Sequence, residues 1–190
     1  INDHIYEIEN FLTDQEVKTI LDKSSDTYEY LDYRNSFRTI AIDSNNKLSN
    51  VISDRLKQNN FLSLLNGENW QQPRGFHDDN IKWFPNDGTV NTCLRINKYI
   101  NNAFDYHRDA PLTCNSQLKS NYTLLIYLSE QNDGETEFLI PTIEYEHNGL
   151  TIKEELELIG NNYNIIRIKP VIGKAIIFDH GIIHRSLFTP

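Results

Sequence analysis

Methionine is missing altogether from this chain of 190 residues, which begins at Ile1. A trimmed N-terminus is therefore expected, and no signal peptide is visible in what remains. Cysteine is nearly missing too. Cys93 and Cys114, one in an expected strand and one in an expected loop, are too few for a disulfide framework and lack the spacing of a zinc site. A reduced pair in a cytoplasmic or otherwise intracellular protein is the expectation. No apolar run approaches the roughly 20 residues that cross a bilayer, so a helical membrane span is excluded. Positive charge is also short, with 18 Lys and Arg against 27 Asp and Glu and a formal net charge of -9. Such a surface repels phosphate backbones, so a basic peptide or protein is a more natural partner than nucleic acid.

What is present fits one domain spanning residues 1–190, large enough to bury a core without covalent staples. Residues 1–66 read as a helical support region. Thr13-Asp14-Gln15-Glu16 forms a capping box, followed by Val17, Ile20 and Leu21 at helical spacing. A second helix is expected from about Leu48 to Gln58, with Leu48, Val51, Ile52 and Leu56 on one stripe. From Glu68 to Gly88 the glycines and prolines are too dense for a long helix, so loop with short strands is expected, its Trp70, Trp83 and Phe84 closing the core.

Residues 91–190 carry the chemistry. Leu94 to Tyr99 alternates like a strand, Asn101-Asn102 is a turn, and Phe104-Asp105-Tyr106 leads into His107-Arg108-Asp109. Residues two apart on a strand project to the same face, so His107 and Asp109 can present a ring nitrogen and a carboxylate oxygen to one metal ion while Arg108 points elsewhere. Tyr122 to Leu128 is a buried-strand run, Asp133 to Phe138 a turn opening another strand, and Gly173 to Phe178 a strand rising to His180, Gly181 and His184. Two imidazoles and one carboxylate form the facial triad of non-haem Fe(II) oxygenases, which leaves the opposite positions open.

With strand, HxD, strand, Gly134-Glu135-Thr136 turn, strand and His in that order, the chain resembles the prolyl 4-hydroxylase-like branch of the Fe(II)/2-oxoglutarate-dependent dioxygenases. The stretches that carry the resemblance are Arg95 to Pro111, Thr123 to Phe138, Ile168 to Leu187 and the entry segment Ile8 to Glu16. It implies a mainly β fold with N-terminal helices: a double-stranded β-helix, the cupin-like jelly roll, with helices packed on one sheet. It implies Fe(II) held by His107, Asp109 and His184. The co-substrate would be 2-oxoglutarate, its far carboxylate met by Tyr127, with Tyr99 as a second pocket tyrosine. O2 would be consumed, ascorbate would assist, and a C–H bond would be hydroxylated with release of succinate and CO2. The expected substrate is a prolyl or other residue of a peptide or protein. A small molecule or nucleic acid on the same fold, or a non-catalytic metal-binding module, is the alternative.

One departure stands out. The family places a Lys or Arg about ten residues beyond the last histidine, against the far carboxylate, and this sequence ends at Pro190. A further C-terminal strand is expected to supply it, since Arg185 adjoins a ligand and should face away, which leaves Arg95 as the other candidate. His180 competes with His184 for the third ligand position, but Ile182-Ile183-His184 fits the family's apolar-apolar-His pattern and His180 its upstream partner. His4, His77 and His147 sit in no motif and read as surface residues. Asn121-Tyr122-Thr123 is a glycosylation sequon at the start of a core strand, where glycosylation is not expected. In the segment from Pro141 to Pro170, Glu144, Glu146, Glu154, Glu155 and Glu157 read as a solvated face rather than an attractor for a cationic substrate.

Overall fold

The computed structural model describes residues 5–31, 36–43, 45–58, 88–111, 113–115, 118–147 and 149–189. His4, His77 and most of the loop expected from Glu68 to Gly88 lie outside them. In chain order the elements are β1 (Ile5–Ile8), α1 (Asp14–Ser24), β2 (Glu29–Leu31), β3 (Ser36–Ile42), α2 (Lys47–Gln58), β4 (Cys93–Lys98), β5 (Asn102–His107), β6 (Thr113–Asn115) and β7 (Leu118–Lys119). They continue with β8 (Tyr122–Ile126), β9 (Thr136–Pro141), α3 (Ile152–Ile159), β10 (Tyr163–Ile168), β11 (Ala175–Asp179) and β12 (Ile183–Thr189). Among the described residues the architecture is mostly β with three helices, and every strand pairing is antiparallel.

Two sheets form the body: one ordered β1-β11-β8, the other β10-β9-β12-β5. Strand β11 explains how they stack. Its five residues are all buried, and alternate side chains leave opposite faces. Ile176 and Phe178 join Ile5, Phe138, Ile168 and Ile182 in a core shared with the four-stranded sheet, where the Phe138 and Phe178 rings meet edge to face at 5.0 Å. Ala175 and Ile177 face the other way, onto Phe11, Leu12, Val17, Ile52 and Leu56. The order is therefore helices, sheet, sheet, and the helices cover one sheet as the sequence leads one to expect. A smaller sheet, β2-β3-β4, and the β6-β7 pair complete the fold.

The helix ends follow from local chemistry. Thr13 accepts from the Glu16 N–H while the Glu16 carboxylate accepts from the Thr13 N–H at 2.8 Å, which closes the expected capping box. Arg55 of α2 reaches the same carboxylate at 2.7 Å and so ties the two helices together. Asp43 caps α2, accepting from the Ser49 N–H at 2.8 Å and the Ser49 hydroxyl at 2.7 Å. Gly173 turns the chain into β11 with φ 75°, and a Cβ there would lie 2.1 Å from the Leu12 carbonyl oxygen, so only glycine fits.

Several sequence expectations need correcting. Val51 and Leu21 are each 38% exposed, off the buried stripes of their helices. Cys114 lies in the short strand β6 rather than in a loop. Residues 141–170 build α3, with a capping box of Thr151 and Glu154, and then β10; Glu144, Glu146, Glu154 and Glu157 are exposed as expected, and Glu155 is the exception. Glu155 on that helix is 1% exposed, because Arg108 pairs with it.

Candidate metal centre

Strand β5 ends on His107, and β12 begins with Ile183-His184. The two histidines are direct cross-strand partners, with ring centroids 4.2 Å apart. Beyond that pair the ladder shifts: Ser186 faces Phe104, so three steps along β5 match two along β12. A bulge of this kind re-aims a side chain. The His107 ring meets the Asp105 carbonyl through Nδ1 at 2.8 Å. His184 Nδ1 meets the Ile182 carbonyl at 2.9 Å in the same way. A carbonyl only accepts, so each Nδ1 carries the hydrogen and each Nε2 keeps its lone pair for a metal.

Both Nε2 atoms face Asp109, His107 lying 3.8 Å from Oδ1 and His184 3.8 Å from Oδ2. One donor atom from each of the three residues falls within 4.8 Å of the others. Burial pushes the His184 imidazole down to about 4, so it is neutral and able to donate at physiological pH. The donor set fits a divalent iron-type ion: nitrogen and oxygen only, on one side, with no fourth protein ligand among the described residues.

His180 is not a ligand in this arrangement. Its Nδ1 meets Thr123 Oγ1 at 3.0 Å and its Nε2 meets Ser120 Oγ at 2.9 Å. Thr123 in turn donates to Asp109 Oδ2 at 2.5 Å. The donor inventory orders this as one chain: Ser120 to His180, His180 to Thr123, Thr123 to Asp109. It fixes the carboxylate from behind.

Tyr127 follows β8 and packs into the core between the two sheets. Its hydroxyl donates to Thr136 Oγ1 at 2.6 Å, on the strand that leaves the Gly134-Glu135-Thr136 turn, and burial pushes its pKa up, so it stays a neutral donor. Gly134 in that turn has φ 79°, and a Cβ would strike Thr189 Oγ1 at 2.3 Å. Tyr99 is half-buried and lies at one remove from the centre: its ring is 6.5 Å from Phe104, which packs on His107 at 4.3 Å. Arg95 is exposed on β4. Arg185 faces away from the centre, as its position next to a ligand predicts, and is committed to Glu137.

Arg108 also points away. Its Nε donates to the Gly181 carbonyl at 2.9 Å, and its guanidinium pairs with Glu155 on α3, joined by the Tyr145 hydroxyl at 3.1 Å from that carboxylate. His147 is half-buried with its ring 5.8 Å from Tyr145, so it is not simply a surface residue. Asn121 is only 7% exposed, which agrees with an unused sequon.

Sequence reasoning missed one cluster entirely. Glu137 on β9 is fully buried and accepts from Tyr106 Oη at 2.5 Å, Arg167 Nε at 2.6 Å and Arg185 Nε at 2.8 Å. Burial alone would raise its carboxyl; the donors from Tyr106, Arg167 and Arg185 outweigh it and hold the group below the usual range. The sole local signal is Glu137 as the polar residue between Thr136 and Phe138, the usual outward position of an alternating strand.

No family model matches this sequence, and no curated protein sequence matches it. Solved structures do. A Pseudomonas putida prolyl-4-hydroxylase superposes with a TM-score of 0.54 at 11% identity, over 98% of this chain and 86% of that one. A Trichoplax adhaerens prolyl hydroxylase, in complex with a hypoxia inducible factor oxygen degradation domain peptide fragment, gives 0.56 at 15% identity, over 98% and 78%. OsALKBH1 gives 0.56 at 13%, over 100% and 88%. The chain has the fold that these prolyl hydroxylases and OsALKBH1 share, and His107, Asp109 and His184 converge within it.

Proposed function

We propose that this chain is a non-haem Fe(II)- and 2-oxoglutarate-dependent oxygenase on a double-stranded β-helix, hydroxylating a prolyl or other residue of a peptide or protein. The observation that carries the reading is the convergence of two Nε2 lone pairs and the Asp109 carboxylate, each donor group held by its own hydrogen bond. The two sheets packed over Phe138 and Phe178 support the jelly-roll description.

His107, Asp109 and His184 would hold the iron, with Asp109 as ligand and charge balancer rather than base. Bound there, Fe(II) with 2-oxoglutarate and O2 supplies the oxidising power for an unactivated C–H bond, releasing succinate and CO2. Tyr127, whose hydroxyl donates to Thr136 Oγ1, would offer that hydroxyl to the far carboxylate of 2-oxoglutarate. Tyr99, with its ring 6.5 Å from Phe104, would be the second pocket tyrosine. Phe138 and Phe178, whose rings lie 5.8 and 4.7 Å from His184, keep water from the ligand ring. A peptide substrate is supported by the net charge of -9 and by the peptide bound to the Trichoplax prolyl hydroxylase.

The test is incubation with Fe(II), 2-oxoglutarate, ascorbate and a proline-containing peptide library, following succinate and the gain of one oxygen atom by mass spectrometry. The wild type is expected to turn over, and His107→Ala and Asp109→Ala to be inactive. Full turnover in either variant would sink the metal assignment. Oxygen transfer to an alkylated oligonucleotide or a small molecule instead would move the substrate class and leave the chemistry.

A further inference from the structure

The Glu137 cluster lies on the face of the four-stranded sheet opposite the metal centre. Each of its four members comes from a different strand: Tyr106 from β5, Arg185 from β12, Glu137 from β9 and Arg167 from β10. Tyr106 immediately precedes His107, and Arg185 immediately follows His184. Since alternate residues leave opposite faces, the cluster is gripped by the backs of the two residues that present the histidines.

The backbone ladder does not by itself secure that pair. Register between β5 and β12 shifts on passing from His184 to Ser186 and again from Ser186 to Thr189. At such a bulge the extra residue is left unpaired and the ladder is locally disrupted, so side-chain contacts must hold the strands there. Tyr106 lies within the bulged stretch. Its hydroxyl reaches over β12 to Glu137, and the Arg185 guanidinium stacks on its ring at 4.2 Å. The carboxylate is fully buried, so it must keep its donors, and those donors can be kept only in one register.

We infer that Glu137 is a positioning residue, which through Tyr106 and Arg185 locks the β5 bulge in the register that sets His107 opposite His184. The inference rests on the metal-binding reading above. It assigns Glu137 no contact with metal or substrate.

The experiment is Co(II) binding to the metal-free protein by equilibrium dialysis, well below the melting temperature, alongside thermal melts. Wild type is expected to bind one ion, and His107→Ala to lose it. Glu137→Gln keeps the shape and one acceptor oxygen but loses the charge that holds both arginines, and is expected to weaken Co(II) binding by about tenfold or more, as loss of outer groups around ligands does. Tyr106→Phe, which removes one hydroxyl and leaves the ring under Arg185, is expected to weaken it in the same direction and less. A cluster that only stabilised the fold would lower both melting temperatures and leave the dissociation constant of the folded protein unchanged, and that result would overturn the inference while leaving the metal site intact. Should Glu137→Gln not fold, an unchanged constant in Tyr106→Phe decides against it. A wild type that binds no Co(II) would remove the metal reading and this inference together.

Discussion

Thr123 donates its hydroxyl proton to Oδ2 of Asp109 at 2.5 Å, while His180 holds the Thr123 oxygen from the other side at 3.0 Å. The threonine therefore sets which way the carboxylate turns. Thr123→Val keeps the volume and removes the donor. It is expected to lower metal affinity by roughly tenfold, the usual cost of losing a ligand's outer partner, with the fold retained. Dialysis against Co(II) checks this, and unchanged affinity would show that Asp109 orients itself unaided.

The Arg108–Glu155 pair anchors α3 to the segment just beyond β5, between the two ligands His107 and Asp109. Side-chain exposure is 18% for Arg108 and 1% for Glu155, so removing Arg108 strands a buried carboxylate. Arg108→Met is expected to cost about 3 kcal/mol or more, whereas Arg108→Met combined with Glu155→Leu should recover most of it, because no buried charge is then left alone. Urea melts of the three proteins give the comparison. A double variant as unstable as the single would mean that the Gly181 hydrogen bond, rather than the ion pair, is what matters.

Glu16 gives the fold an acid-sensitive joint. Its carboxyl is held down to about 2, first by the hydrogen bond from Arg55 and then by the Thr13 N–H, against an ordinary 4.5. A carboxyl lowered in the folded state stabilises above its unfolded value and loses that contribution as pH falls toward the folded one. The advantage of wild type over Glu16→Gln should therefore be constant above about pH 4.5 and shrink between there and about pH 2. The exposed, solvent-screened geometry keeps it small, about 1 kcal/mol. Melting temperatures of both proteins across this range measure it, and an advantage that persists at pH 2 would place it outside titration.

How far the sequence discloses this architecture depends on how local the cause is. The alternation from Leu94 to Tyr99, the capping box at Thr13 and the apolar run into His184 are short-range patterns, and each forms the element it announces. The helix at Ile152–Ile159 was equally legible: Thr151 and Glu154 form a capping box, and Ile152 and Ile159 repeat at helical spacing, but the acidic residues draw the eye to charge instead. Glu155 looked solvated because its partner, Arg108, is distant in sequence. Glu137 is hidden for the same reason, as its donors come from three other strands. The bulge between Phe104 and His107 leaves no mark in the letters, although it adjoins a ligand.

The strand order β10-β9-β12-β5 has one more consequence. Strand β12, the last of the described strands, enters the middle of the sheet, between two strands made earlier. Until it arrives, β5 and β9 each present an open edge, the kind of surface on which nascent chains aggregate. When it arrives it seals both edges and delivers His184 beside His107 in the same movement. Closure of the inner edges of β5 and β9 and the meeting of the two histidines are therefore one event, while β5 keeps its outer edge at the rim of the sheet.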